Sequence, residues 1–200
     1  MAKDTKARIL SAALDMFSQN GYAGTNIREL TASLGLAKSS MYRHFESKEA
    51  IWNSLLDEMS AYYSARFGSE SNLPPVPDSL EELVDLTMRL SRFTVGDEKV
   101  VKTRKLLSIE QFRDPRAREL ATKHFLTGLT DIFSRIFEGM EARGLLVKDD
   151  PKMLALSYTA PISALIRLCD REPDNTEWAL KQIEAFARHF TGVYGVKNGK

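Results

Sequence analysis

Between residues 25 and 48 the apolar positions fall into two short helical registers with a glycine between them. Ile27, Leu30 and Leu34 stand three and four apart, on one face of a helix. Gly35 follows, where the helix must stop and the backbone turn left-handed. Met41 and Phe45, four apart, form the back of a second short helix. At 100° per residue, Ser39, Tyr42, Arg43 and Glu46 fall on the opposite face. An apolar back and a polar, partly basic front suit a helix that packs on its neighbours and lays its front in the major groove of duplex DNA.

The remaining pattern is helical throughout. A stripe of Ile9, Leu10, Ala13, Leu14 and Phe17 predicts a helix over 4–20, ended by Gly21. Thr25 reads as the N-cap of the next helix, without a full capping box because Arg28 stands where a glutamate would be. Ser47 caps a long helix to about 67, with Ile51, Leu55, Met59 and Tyr62 on one side. Residues 68–77, GSESNLPPVP, form a loop. Ser79-x-x-Glu82 is a capping box opening a helix that stops at Gly96. Another helix carries Val100, Val101, Leu106, Leu107, Ile109 and Phe112. Asp114-Pro115 and Asp150-Pro151 each pair an N-cap with a first-turn proline. The first opens a long helix ending near Gly144; the second opens one in which Pro161 is expected to make a kink. Asn175 or Thr176 starts the last helix, and the tail after Gly195 is polar. No strand pattern or repeat appears. The expectation is an all-α chain of about nine helices, with a three-helix helix-turn-helix DNA-binding domain at 1–48 and a helical effector-binding and dimerisation domain at 49–200.

The run Gly35-Leu36-Ala37-Lys38-Ser39-Ser40-Met41-Tyr42-Arg43-His44-Phe45, followed by Ser47-Lys48-Glu49, resembles the DNA-binding segment of the TetR/AcrR family of bacterial transcriptional regulators. Phe17, Gly21-Tyr22, Thr25 and Ile27 fit the same pattern. The resemblance covers roughly the first quarter of the chain. Two positions depart from it: Ala37 where the family has Ser, and Thr31 where it has Ala. A serine at 37 would cap the second helix, and its loss costs about 0.5–2 kcal/mol. The uncapped amides are left for a DNA phosphate to satisfy in the complex. The resemblance implies that Thr25, Tyr42, His44 and Lys48 anchor the DNA backbone. It implies a homodimer formed by the last two helices, with Leu165, Trp178, Phe186 and Phe190 at the interface. Those helices carry large apolar residues on more than one side, as a helix with two partners does. It also implies a small-molecule pocket inside the body, for which Phe93, Phe112, Phe125, Phe133 and Tyr158 supply walls and Gln111 and His124 polar anchors.

On the residues alone, Lys38 and Lys48 reach phosphates flanking a groove, Tyr42 offers a hydroxyl to phosphate, and Ser39 and Ser40 touch base or backbone. Arg43 suits a guanine edge, which presents two acceptors to a guanidinium. The net charge of +1 says nothing about nucleic acid, but its distribution does: residues 1–48 carry seven Lys and Arg against four Asp and Glu. No catalytic motif is present. His44, His124 and His189 are far apart, Glu81-Glu82 and Asp149-Asp150 sit at helix starts where acids favour the dipole, and the single Cys169 suits a buried apolar site. No cofactor or metal is expected. The N-terminus has no signal sequence, and no apolar run reaches the roughly 20 residues of a membrane span, so a cytoplasmic protein is expected. These readings converge on a ligand-responsive repressor that binds a near-palindromic double-stranded DNA operator and is released by a small-molecule effector. An activator of the same family, or a helical small-molecule-binding protein or enzyme with an incidental helix-turn-helix, are the rival readings.

Overall fold

The computed structural model describes residues 2–68 and 73–196. Its helices are α1 (Ala2–Gly24), α2 (Ile27–Ser33), α3 (Lys38–Tyr42), α4 (Lys48–Phe67), α5 (Leu80–Gly96), α6 (Glu98–Glu110), α7 (Pro115–Thr122), α8 (Gly128–Ala142), α9 (Pro151–Arg171) and α10 (Thr176–Tyr194). A π-helical turn, Lys123–Thr127, lies between α7 and α8 in the chain, and a 3-10 turn, Pro173–Asn175, precedes α10. Among the described residues there is no strand, only an isolated bridge between Leu146 and Gly195. The fold is all-α. Residues 69–72 of the loop expected at 68–77, and 197–200 of the polar tail, lie outside the described residues.

Most of the punctuation works as the residue types dictate. Gly21 breaks α1 with φ 71 and ψ 171, and Gly35 ends the α2 segment with φ 64. Ser47 accepts the amide of Ala50, Ser79 that of Glu82, and Asp114 that of Ala117. Asp150 accepts the amides of both Lys152 and Met153. Glu82 does not close its box on Ser79; its carboxylate takes the amide of Asp78 instead. Two expectations need correction. The cap of α2 is Asn26, whose side chain accepts the amide of Arg28, while the Thr25 hydroxyl donates back to the Gly21 carbonyl at 3.0 Å. The helix after Asp114 is not uniformly α, because the Lys123–Thr127 turn is wound with π geometry. Helix α9 runs from Pro151 to Arg171 with Pro161 inside it, where the sequence placed it.

The chain packs as two compact units. One comprises Met1–Tyr63 and Lys102–Ala121, the other Ser64–Val101 and Thr122–Lys200. The unit around the helix-turn-helix is therefore larger than residues 1–48. The apolar stripe of α1 needs more cover than two short helices give, and Trp52 of α4 meets Phe17 edge-on at 5.7 Å. Ile9, Ala13, Phe17, Leu30, Met41, Ile51, Leu56, Leu106 and Leu107 are fully buried in this unit. In the other unit α8 packs on α9, and α10 on both α5 and α9. Its core joins Leu83 and Met88 of α5, Phe133 and Phe137 of α8, Tyr158 of α9 and Phe190 of α10. Tyr158 sits at the centre, 5.3 Å from Phe133 and 4.6 Å from Phe190, with its hydroxyl 2.6 Å from that of Thr87.

Candidate nucleic-acid interface

The helix-turn-helix is built by three features of its own sequence. Leu30 on α2 is fully buried, the left-handed Gly35 reverses the chain, and Met41 and Phe45 anchor the back of α3 in the core. With that back fixed, α3 presents Lys38, Ser39, Tyr42 and Arg43 to solvent, Tyr42 at 42% exposure. The helix is short. Arg43 is its C-cap, still with right-handed φ −73 and ψ −20, so its side chain continues the helical face. Two contacts order that face: Arg43 Nη2 donates to Ser40 Oγ at 3.1 Å, and Lys38 Nζ lies 5.7 Å from the Tyr42 ring centre. Ala37 makes no side-chain cap, as its identity requires.

Lys48 opens α4 and is half-buried, with Nζ 4.3 Å from the ring centre of Tyr22. Burial pulls its pKa below that of a free lysine, and the nearby Glu110 carboxylate works in the opposite sense. His44 is half-buried, with its backbone N–H on the Met41 carbonyl. Thr25 differs from the others: it is 3% exposed and its hydroxyl proton is committed to Gly21. Its side chain is a structural bond across the turn rather than a free donor. Lys6, on α1, stands 5.2 Å over the Phe45 ring and adds a cation to this unit that the α3 pattern alone did not single out.

The residues expected to line an effector pocket are divided between the two units. Gln111 and Phe112 belong to the helix-turn-helix unit, in the turn between α6 and α7; Phe112 is 80% exposed and Gln111 bonds the Ser108 carbonyl. Helix α6 ends at Glu110, so Phe112 lies past the helical face on which its apolar neighbours pack. In the other unit Phe93 packs on Phe67 at 5.7 Å, and Phe125 lies beneath the Arg167 guanidinium at 4.4 Å. Phe133 and Tyr158 are core, with burial pushing the Tyr158 hydroxyl up to about 12. His124 is buried in the π turn, and burial, aided by Lys123, lowers its pKa to about 4, so it is neutral at pH 7. Of the interface candidates, Phe190 is a core residue of its own chain, stacked on Phe137 at 5.3 Å. Leu165 and Phe186 are half-buried, and Trp178 is 51% exposed. Among the described residues no cluster of side chains could hold a metal ion, and no helix is long and apolar enough to cross a membrane.

Residues 9–55, which contain all of this constellation's turn and recognition helix, match the family model described as bacterial regulatory proteins, tetR family. The chain is 31% identical over 87 residues to the HTH-type transcriptional regulator UidR of Escherichia coli (strain K12), covering 43% of this chain and 44% of that protein. It is 32% identical over 88 residues to RutR of the same strain, covering 44% and 41%. These matches span less than half the length of either relative. Over nearly the whole chain the fold is that of a TetR family transcriptional regulator from Pseudomonas syringae pv. tomato str. DC3000, with a TM-score of 0.69 at 19% identity, covering 98% of this chain and all of that one. Residues 9–55 therefore carry the DNA-binding segment of the tetR family of bacterial regulatory proteins, and the fold over nearly the whole chain is one that TetR family regulators adopt.

Proposed function

We propose that this protein is a cytoplasmic transcriptional regulator that binds a near-palindromic operator as a homodimer, and that it represses until a small-molecule effector releases it. The observation that carries the DNA-binding part is the split of α3 into a buried Met41 and Phe45 back and an exposed Lys38, Ser39, Tyr42 and Arg43 front. In this reading Lys38, Tyr42, His44 and Lys48 hold phosphates, and Arg43 reads a base edge with Ser39 beside it. The helix-turn-helix of 1–48 is the reading head, and the unit built on α5, α8, α9 and α10 binds the effector and pairs the subunits. Pairing is supported by exposed apolar side chains on the last two helices: Met153, Leu156, Ala160 and Ala164 along α9, and Trp178, Ala185 and Val193 along α10. Single apolar residues at a surface need no explanation, but these recur at helical spacing on each helix. Release requires only that the effector bind more tightly to the dimer shape that fits the operator less well.

Titration of labelled duplexes at several salt concentrations tests the reading. A regulator that neutralises phosphates loses affinity linearly in the logarithm of salt. Lys48→Ala should weaken binding to all duplexes about equally and reduce the slope by about one unit. A protein with no salt-dependent duplex affinity would be the rival carrier or enzyme.

A further inference from the structure

We infer that Glu110, outside the helix-turn-helix in sequence, is a positioning residue that sets where the DNA-facing ammonium of Lys48 stands and how strong a field it presents to a phosphate. This rests on the DNA-binding reading above. Glu110 ends α6, where a carboxylate meets the unfavourable end of the helix dipole, yet it is only 3% exposed. What holds it there is a bond across 88 residues: its Oε1 accepts the backbone N–H of Tyr22 at 2.8 Å. That amide follows the left-handed break at Gly21. A Cβ on Gly21 would lie 2.7 Å from the same oxygen, so the carboxylate reaches the backbone only because residue 21 has no side chain. The ring of Tyr22 is backed by Phe17 at 5.7 Å and Trp52 at 5.3 Å, and it offers its face to Lys48 Nζ. Lys102 of α6 pairs with Asp15 of α1, and Trp52 donates to Asp114 at the head of α7, so the segment that carries Glu110 is tied to the same helices at two further points.

Glu110 therefore does two separable things. Its bond to the Tyr22 amide fixes the turn on which the Lys48 ammonium rests. Its charge couples to that ammonium and offsets part of the field the ammonium presents to a phosphate. Glu110→Gln keeps an acceptor for the Tyr22 amide and removes the charge. Glu110→Ala removes both.

A double-mutant cycle with Lys48→Ala tests this, with duplex affinity measured at three salt concentrations and thermal unfolding recorded for every variant. Glu110→Gln is expected to bind duplex about three- to tenfold more tightly than the parent, and this gain should vanish when Lys48 is alanine. Glu110→Ala is expected to bind more weakly than Glu110→Gln, because the ammonium has lost its place. An equal gain in both backgrounds would mean that Glu110 acts on the general field and not through Lys48, and no gain at all would mean that it does not act on binding; either overturns the inference while leaving the DNA-binding reading intact. Absence of salt-dependent binding in the parent overturns that reading and this role of Glu110 together.

Discussion

In the proposed complex, Arg43 is the residue whose chemistry bears most on specificity. Its guanidinium leaves α3 on the exposed face and is steered by the Ser40 hydroxyl at 3.1 Å. A bidentate contact to guanine N7 and O6 distinguishes one base pair, so Arg43→Ala should lose about 1–3 kcal/mol on the preferred site and much less on a site already changed there. A panel of single-base operator variants measures this; uniform weakening would move Arg43 to the phosphate class. A second residue prediction concerns stability. His124 is neutral when folded, with a pKa lowered to about 4, against 6.5 when free. The unfolded chain binds the proton first, so the neutral imidazole contributes full stability above pH 6.5 and loses it as pH falls towards 4. The loss amounts to about 3 kcal/mol. Denaturant unfolding of the parent and of His124→Asn between pH 7 and 4 should converge by that amount. A third concerns Gly21: with φ 71, ψ 171 and Glu110 at its back, Gly21→Ala should cost about 1–3 kcal/mol from the backbone alone. A variant with parental stability would show that the turn can be rebuilt.

At the scale of elements, the sequence reveals what local chemistry decides and hides what distant chemistry decides. The caps at Ser47, Ser79, Asp114 and Asp150 and the stop at Gly35 are local and were legible. The choice between Thr25 and Asn26 as the cap of α2 was not, because either side chain can cap; it turned on whether the Thr25 hydroxyl found the Gly21 carbonyl four residues back. The π turn at Lys123–Thr127 leaves the apolar stripe of α8 unbroken, so periodicity cannot detect it. The Met41 and Phe45 back was read correctly, since a helix with one apolar face has one way to pack. Glu110 carried no signal, because nothing in the α6 sequence announces a partner 88 residues away. For α9 and α10, large residues on several sides suggested two partners but not which side meets which. The structure buries Phe190 within the chain and leaves Trp178 on the outside. Trp178→Glu should therefore yield a folded monomer in sedimentation experiments with little loss of helix content. A dimer of parental stability would place the interface away from this face of α10.

At the scale of the whole molecule, the proposed function requires two copies of this chain to present two α3 faces to one side of a duplex. The tetR-family match of residues 9–55 and the exposed face of α3 make this requirement specific, and the proposed dimer makes it geometric. If each subunit reads one half-site, the two half-sites must be inverted copies separated by about one helical turn or a multiple of it. Selection from a pool of random duplexes, with sequencing of those retained by the full-length protein, measures both properties together. The account predicts enrichment of a near-palindrome whose half-sites have that spacing. Retention without any enriched sequence, or enrichment of a single unrepeated site, would contradict it.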